Sequence, residues 1–162
     1  MRDRIRRRGS GKYRVKLRSS EQIILGSLVH QLREQLMAST DQPHLRRLFP
    51  PAYANDAERD AGYQVLTRDE LLEGRLAALD VVERTLDGSQ DLDESELTAW
   101  MGTLNSLRLV IGTRLDVDED LPELDESDPL APEYALYEFL GWILAQVVDA
   151  LGSDLPPPTT PG

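Results

Sequence analysis

The stretch Leu97–Val117, LTAWMGTLNSLRLVIGTRLDV, constrains the fold most. Leu97, Trp100, Met101, Leu104, Leu107, Ile111 and Leu115 recur at spacings of three and four. At about 100° per residue these positions draw one apolar stripe along a helix. Leu109 and Val110 point away from the stripe, so the C-terminal half is apolar on nearly every side. Arg108 projects close to the middle of the stripe. Such a helix belongs at the centre of a helical domain, with Trp100, Leu104, Leu107 and Ile111 as core. Gly102 and Gly112 lie inside it, each costing about 1 kcal/mol against alanine. Close helix–helix approach would justify that cost.

Other helices surround this one in the sequence. Ser19 begins a helix, with Gln22 completing a capping box and Leu25, Leu28, Val29, Leu32 and Leu36 on one face. Residues 40–66 read as mostly irregular, with short helices at His44–Phe49 and Asp56–Gly62. A second capping box, Thr67 to Glu70, opens a helix carrying Leu72, Leu76, Leu79, Val82 and Leu86, which stops near Asp87-Gly88. Asp93 is the expected N-cap of the central helix, with Glu96 at the box position. The last helix has Pro132 in its first turn and runs to about Leu151. Leu136, Phe139, Leu140, Ile143, Leu144, Val147 and Val148 cover most of its surface, with Leu140 and Ile143 read as core. So wide an apolar surface calls for several helical neighbours or a second subunit.

One stretch reads as a strand. In Gly11–Arg18, Lys12, Arg14, Lys16 and Arg18 alternate with Tyr13, Val15 and Leu17. A lone strand is unstable, so it must pair with another segment of the chain or with its copy in a dimer. Before it, residues 1–10 read as a flexible basic arm. Residues 116–133 hold nine acids and no base, with Pro122, Pro129 and Pro132, and read as an exposed acidic loop. Residues 152–162, including LPPPTTPG, read as a disordered tail by composition. The fold class that follows is mainly α: a single helical domain over 11–151, about four main helices with a short N-terminal strand.

Charge divides the 162-residue chain. Residues 1–18 carry nine Lys/Arg against Asp3, a net +8, and the remainder carries nine bases against 28 acids, a net −19. Two readings of the basic segment stand side by side. In the first, Arg2, Arg4, Arg6, Arg7, Arg8, Lys12, Arg14, Lys16 and Arg18 contact DNA phosphates, as ribbon-type readers do. In the second they form a solvated tail and a charged edge strand that resists aggregation. The polarity also suggests an autoinhibitory contact of arm with acidic loop.

Enzyme chemistry finds little support. With no cysteine, a disulfide framework, thiolate metal site, thiol nucleophile and thiol switch are excluded within this sequence. His30 and Glu34 share a helix face but lack a third metal ligand. His44, beside Arg46 and Arg47, reads as a surface residue. The run Asp116-x-Asp118-x-Asp120 fails as a calcium loop, because Leu121 and Ser127 stand where glycine and glutamate are needed. No glycine-rich phosphate loop or nucleophile elbow occurs. Arg108 reads either as half of an internal ion pair with Asp80 or Glu83, or as an anion-binding arginine in a pocket. Gly9–Arg18 interrupts any signal peptide, and no run of about 18 uninterrupted apolar residues occurs, so neither secretion nor a membrane span is expected.

The phrases HLRRLFPPAY (44–53), LTRDELLEGRLAALD (66–80), W-x3-LN-x-LRLVIGTRLDV (100–117) and Y-x-FLGWILAQVV (137–148) resemble an actinobacterial domain-of-unknown-function family. That family includes the AosR-type oxidative-stress transcriptional regulators. The similarity runs from about residue 11 to 151, with the LN-x-LRLV-x-G-x-RL block its most specific part. The resemblance implies a helical, non-enzymatic, cytoplasmic regulator acting at promoters with a sigma factor, in control of thiol metabolism. Other members of the family look to be encoded beside the adaptor of the Clp protease, so the resemblance also leaves open a proteolysis-linked role. It supplies no catalytic residues. The thiol-pair sensing implied for AosR-type regulators has no counterpart here, because there is no cysteine; Met37 and Met101 are the oxidisable side chains left to consider.

The sequence therefore reads as an accessory transcriptional regulator, not an enzyme. It is expected to bind DNA through the arm and a protein partner, such as a sigma factor, through the helical body. It is expected to be a homodimer, without cofactor, metal or membrane contact. The alternative is an interaction adaptor with no DNA contact.

Overall fold

A computed structural model describes residues 3–39, 42–49, 57–115 and 127–153, with residues 57–67 traced as helix only. The acidic segment 116–126, the tail from 154 and Arg2 lie outside the described residues. So the acidic-loop, arm-to-loop and tail expectations fall there almost entirely. Among the described residues there are four helices and one two-stranded antiparallel ribbon: β1 (Ile5–Gly9), β2 (Lys12–Val15), α1 (Ser19–Ala38), α2 (Ala57–Thr85), α3 (Glu94–Leu115) and α4 (Ala131–Gly152). The mainly α class with an N-terminal ribbon is what the sequence led us to expect.

α3 is the centre. It packs along α2 on one side and α4 on another, and touches α1, β2 and a 3₁₀ turn at Pro43–Leu45. Leu97, Trp100, Leu104, Leu107, Val110, Ile111 and Leu115 are all buried, and Leu140, Ile143 and Val147 of α4 meet them in one core. Val110 is buried although it lies off the stripe, because α3 has neighbours on several sides. Its N-terminus closes as a reciprocal box: Glu96 N–H donates to Asp93 Oδ1 at 2.7 Å, and Asp93 N–H donates to Glu96 Oε1 at 3.1 Å. Trp100, fully buried, donates its indole N–H to Thr85 Oγ1 at 2.7 Å, which ties α3 to the end of α2.

Three local expectations are corrected. The helix containing Thr67 does not start there: α2 runs unbroken from Ala57, absorbing the short helix read at 56–62. A capping box is a local pattern, and a long helix overrides it when both flanks favour helix. At α1 the box partner is Glu21, not Gln22: Glu21 Oε1 accepts from the Arg18 backbone N–H at 2.8 Å. Between residues 44 and 49 only the 3₁₀ turn forms, followed by turns.

Residues 5–9 are also no flexible arm. They pair with β2, Ile5 opposite Val15 and Arg6 opposite Arg14, with a register shift between Arg7 and Gly9, so the strand finds its partner inside the chain. The reason lies one residue earlier and on the inner face. Arg4 is buried and anchored, and Ile5, Tyr13, Val15 and Leu17 all enter the core. Gly11, at φ 69°, makes the reversal between the strands. Tyr13 exchanges both backbone hydrogen bonds with Leu92, at 2.9 and 2.7 Å, fastening the ribbon to the α2–α3 connection. Gly88 in that connection, at φ 72°, is required: a Cβ there would stand 2.4 Å from the Val15 carbonyl oxygen.

α4 is the one described helix long and apolar enough to cross a membrane by length and composition. It lies against α3 and β1, with Val148 exposed along it and Leu130 exposed just before its start.

Candidate nucleic-acid interface

The ribbon sorts its side chains by alternation. Tyr13 and Val15 are fully buried, which turns Lys12, Lys16 and Arg18 to the surface and leaves Arg14 half-buried. On β1, Arg6, Arg7 and Arg8 are exposed. Arg6, Lys16 and Arg18 border a shallow basin of about 520 Å³ together with Asp3, Arg4 and Leu17. Arg6, Arg7, Arg8, Lys12, Lys16 and Arg18 are thus all exposed on the ribbon and the residues that follow it, a concentration of positive charge that attracts anions.

Two other predicted contact residues, Arg4 and Arg14, take different positions. Arg4 is 4% exposed. Its Nε and Nη2 donate to Glu21 at 2.8 and 3.2 Å, its guanidinium lies 5.1 Å over the Trp142 ring, and its backbone N–H donates to Gln146 Oε1 at 2.6 Å. It joins β1, α1 and α4 and is removed from the surface available to DNA. Burial would raise the Glu21 carboxyl, but hydrogen bonds from Arg4 and the Arg18 backbone, with both positive charges, hold it below the ordinary glutamate value. Arg14 donates to Asp91 at 2.7 Å, and Arg8 stands 3.6 Å from the same carboxylate. Arg2 lies outside the described residues.

Asp91 is a residue that sequence reasoning missed. Nothing local marks it; only the Tyr13–Leu92 bridge brings it under the ribbon.

Arg108 is corrected too. Asp80 and Glu83 face α1, where both pair with Arg33 at 2.6 and 2.5 Å. Arg108 instead lies 4.6 Å over the Tyr137 ring and donates Nη2 to its hydroxyl at 3.2 Å. The reason is helix phase: α4, not α2, covers that side of α3, and Gly141 leaves room for the guanidinium. His30 and Glu34 meet at 3.1 Å on the exposed face of α1, and His44 contacts Gln35 Oε1 at 3.0 Å. Among the described residues no three His, Asp or Glu side chains cluster as a metal site would need.

Comparison with known proteins adds the family. No solved structure matches the chain. A protein of Mycobacterium leprae named putative oxidative stress regulator AosR is 28% identical over 128 residues, 68% of this chain and 59% of the relative. Proteins of Mycobacterium bovis and Mycobacterium tuberculosis named oxidative stress regulator AosR are each 31% identical over 115 residues, 60% of this chain and 53% of theirs. The chain thus spans little more than half the length of the curated relatives it matches. The family model described as Domain of unknown function (DUF2017) matches residues 1–151, and the chain belongs to that family.

Proposed function

We propose that the protein is a non-enzymatic accessory regulator of transcription in the oxidative-stress response, working in the cytoplasm. In this reading it binds DNA through the basic ribbon and a protein partner, such as a sigma factor, through the helical body. The relatives' names support the stress-response part. The observation that carries DNA contact is the set of exposed Arg6, Arg7, Arg8, Lys12, Lys16 and Arg18 on one end of an otherwise acidic chain. Arg4 and Arg14 drop out of the contact set or lie at its margin. A homodimer, formed through the outward side of α4, is part of the reading. The signal does not pass through thiols of this sequence, which has none.

A gel shift on duplex DNA across a salt series tests it. With about six phosphates contacted, log K falls against log salt with a slope near −5. Replacing Arg6, Lys12, Lys16 and Arg18 by Gln flattens that slope and weakens binding. A quadruple variant that binds as the parent does, or a parent that shows no salt dependence, defeats the DNA reading. The adaptor reading then takes its place. It draws on Ile23, Ile24 and Met37, which stand exposed along α1.

A further inference from the structure

Two helix-interior glycines border the same gap between α2 and α3. A Cβ built at Gly74 or at Gly102 meets no atom within 4 Å. Gly112, ten residues along the same helix as Gly102, is different: Tyr137 and Arg47 would stand 3.2 and 3.3 Å from its Cβ. Close approach therefore accounts for Gly112 and not for Gly102. Glycine inside a helix is destabilising, so Gly102 calls for another reason. What Gly74 and Gly102 leave open is a pocket of about 260 Å³, walled mainly by apolar groups of Leu32, Leu71, Ala78 and Leu79.

The same wall carries a cation that meets no carboxylate among the described residues, its guanidinium lying 5.9 Å from the centre of the Phe49 ring. Arg75 donates Nη1 to Ser106 Oγ at 2.8 Å and Nη2 to the Leu48 carbonyl at 3.2 Å, both neutral acceptors. Its Nε has no acceptor, and neither does the hydroxyl of Thr103, a residue only 2% exposed that also borders the pocket. No carboxylate pairs with Arg75 among the described residues. Glu70 borders the pocket but is exposed. Burial makes the charged state of Arg75 harder to hold, yet a guanidinium does not give up its proton in proteins. An anion brought from outside relieves that burden, and the apolar walls select one with a hydrocarbon body.

We propose that the pocket between α2 and α3 binds a small organic carboxylate with an apolar body, its head against Arg75 and its tail over Gly102. This is a ligand site separate from the ribbon, and it gives a chain without thiols a means of responding to a metabolite.

Backbone-amide NMR of the full chain titrated with octanoate tests it, with 1-octanol as the uncharged control. Octanoate should shift the amides around Gly74, Ala78 and Gly102 saturably. Octanol, and octanoate with the Arg75→Gln variant, should bind about tenfold more weakly or less, the difference expected for a charge-assisted contact. Gly102→Leu fills the pocket, keeps Arg75 and, meeting no atom at Cβ, should stay folded while losing octanoate binding. Absence of saturable shifts around these glycines, equal affinity for octanol, undiminished binding by Arg75→Gln, or undiminished binding by folded Gly102→Leu would each overturn the proposal.

Discussion

Arg4 and Glu21 meet side by side, Nε on Oε1 at 2.8 Å and Nη2 on Oε2 at 3.2 Å, at the corner where the ribbon, α1 and α4 join. The same carboxylate caps α1 through the Arg18 backbone N–H. One glutamate therefore serves a helix terminus and a buried cation together. Arg4→Met strands Glu21 and should cost about 3 kcal/mol in denaturant unfolding.

The pair also sets a pH dependence. The Glu21 carboxyl is held below its ordinary value near 4.5. Its folded form thus binds protons less readily than its unfolded form, so its contribution is present above about pH 4.5 and fades as pH falls through the depressed value. The melting-temperature gap between parent and Glu21→Gln should be full at pH 6 to 7 and should shrink toward pH 3. A gap that is constant over this range contradicts the linkage.

Thr85 Oγ1 accepts the buried Trp100 indole N–H while donating to the Val81 carbonyl, each at 2.7 Å. Thr85→Val keeps the shape and orphans the indole donor. Loss of about 1–3 kcal/mol in unfolding free energy is expected, with a change in Trp100 fluorescence.

Arg108 stands on Tyr137 and has no carboxylate partner among the described residues. Arg108→Met strands no acid, so its cost should be about 1 kcal/mol, in the range of a cation–π contact. A loss of about 3–5 kcal/mol, the signature of a broken buried ion pair, would show that the arginine answers an acid after all.

Asp91 holds Arg14 at 2.7 Å and stands 3.6 Å from Arg8, dividing the ribbon's charge. Asp91→Asn should tighten DNA binding and steepen the salt slope by about one, the value for one more phosphate neutralised. Unchanged affinity in a gel shift would show that neither Arg14 nor Arg8 reaches DNA once released from Asp91.

The readable parts of this fold were those written in neighbouring residues. The stripe of α3, the Asp93–Glu96 box and the alternation through Tyr13, Val15 and Leu17 depend on spacings of two to four, which sequence displays directly. The Thr67 box misled for the same reason: it is a local pattern inside a helix long enough to override it. Arg4 looked like its neighbours Arg6, Arg7 and Arg8, because nothing within a few residues distinguishes a buried arginine from an exposed one. Arg75 did leave a trace, four residues from both Leu71 and Leu79 and thus inside the apolar side of α2.

The sequence by itself determined the helical class, the central place of α3, the polarity of charge and the lack of cysteine in these 162 residues. Periodicity, composition and the residue inventory are properties of the chain before it folds. Tertiary structure decided which cations stay at the surface, that Asp80 and Glu83 answer Arg33 and not Arg108, that Asp91 lies under the ribbon, and that Gly102 opens a pocket where Gly112 closes a contact. Those outcomes depend on which helix covers which face, and side chains tens of residues apart acquire their partners only when the helices pack.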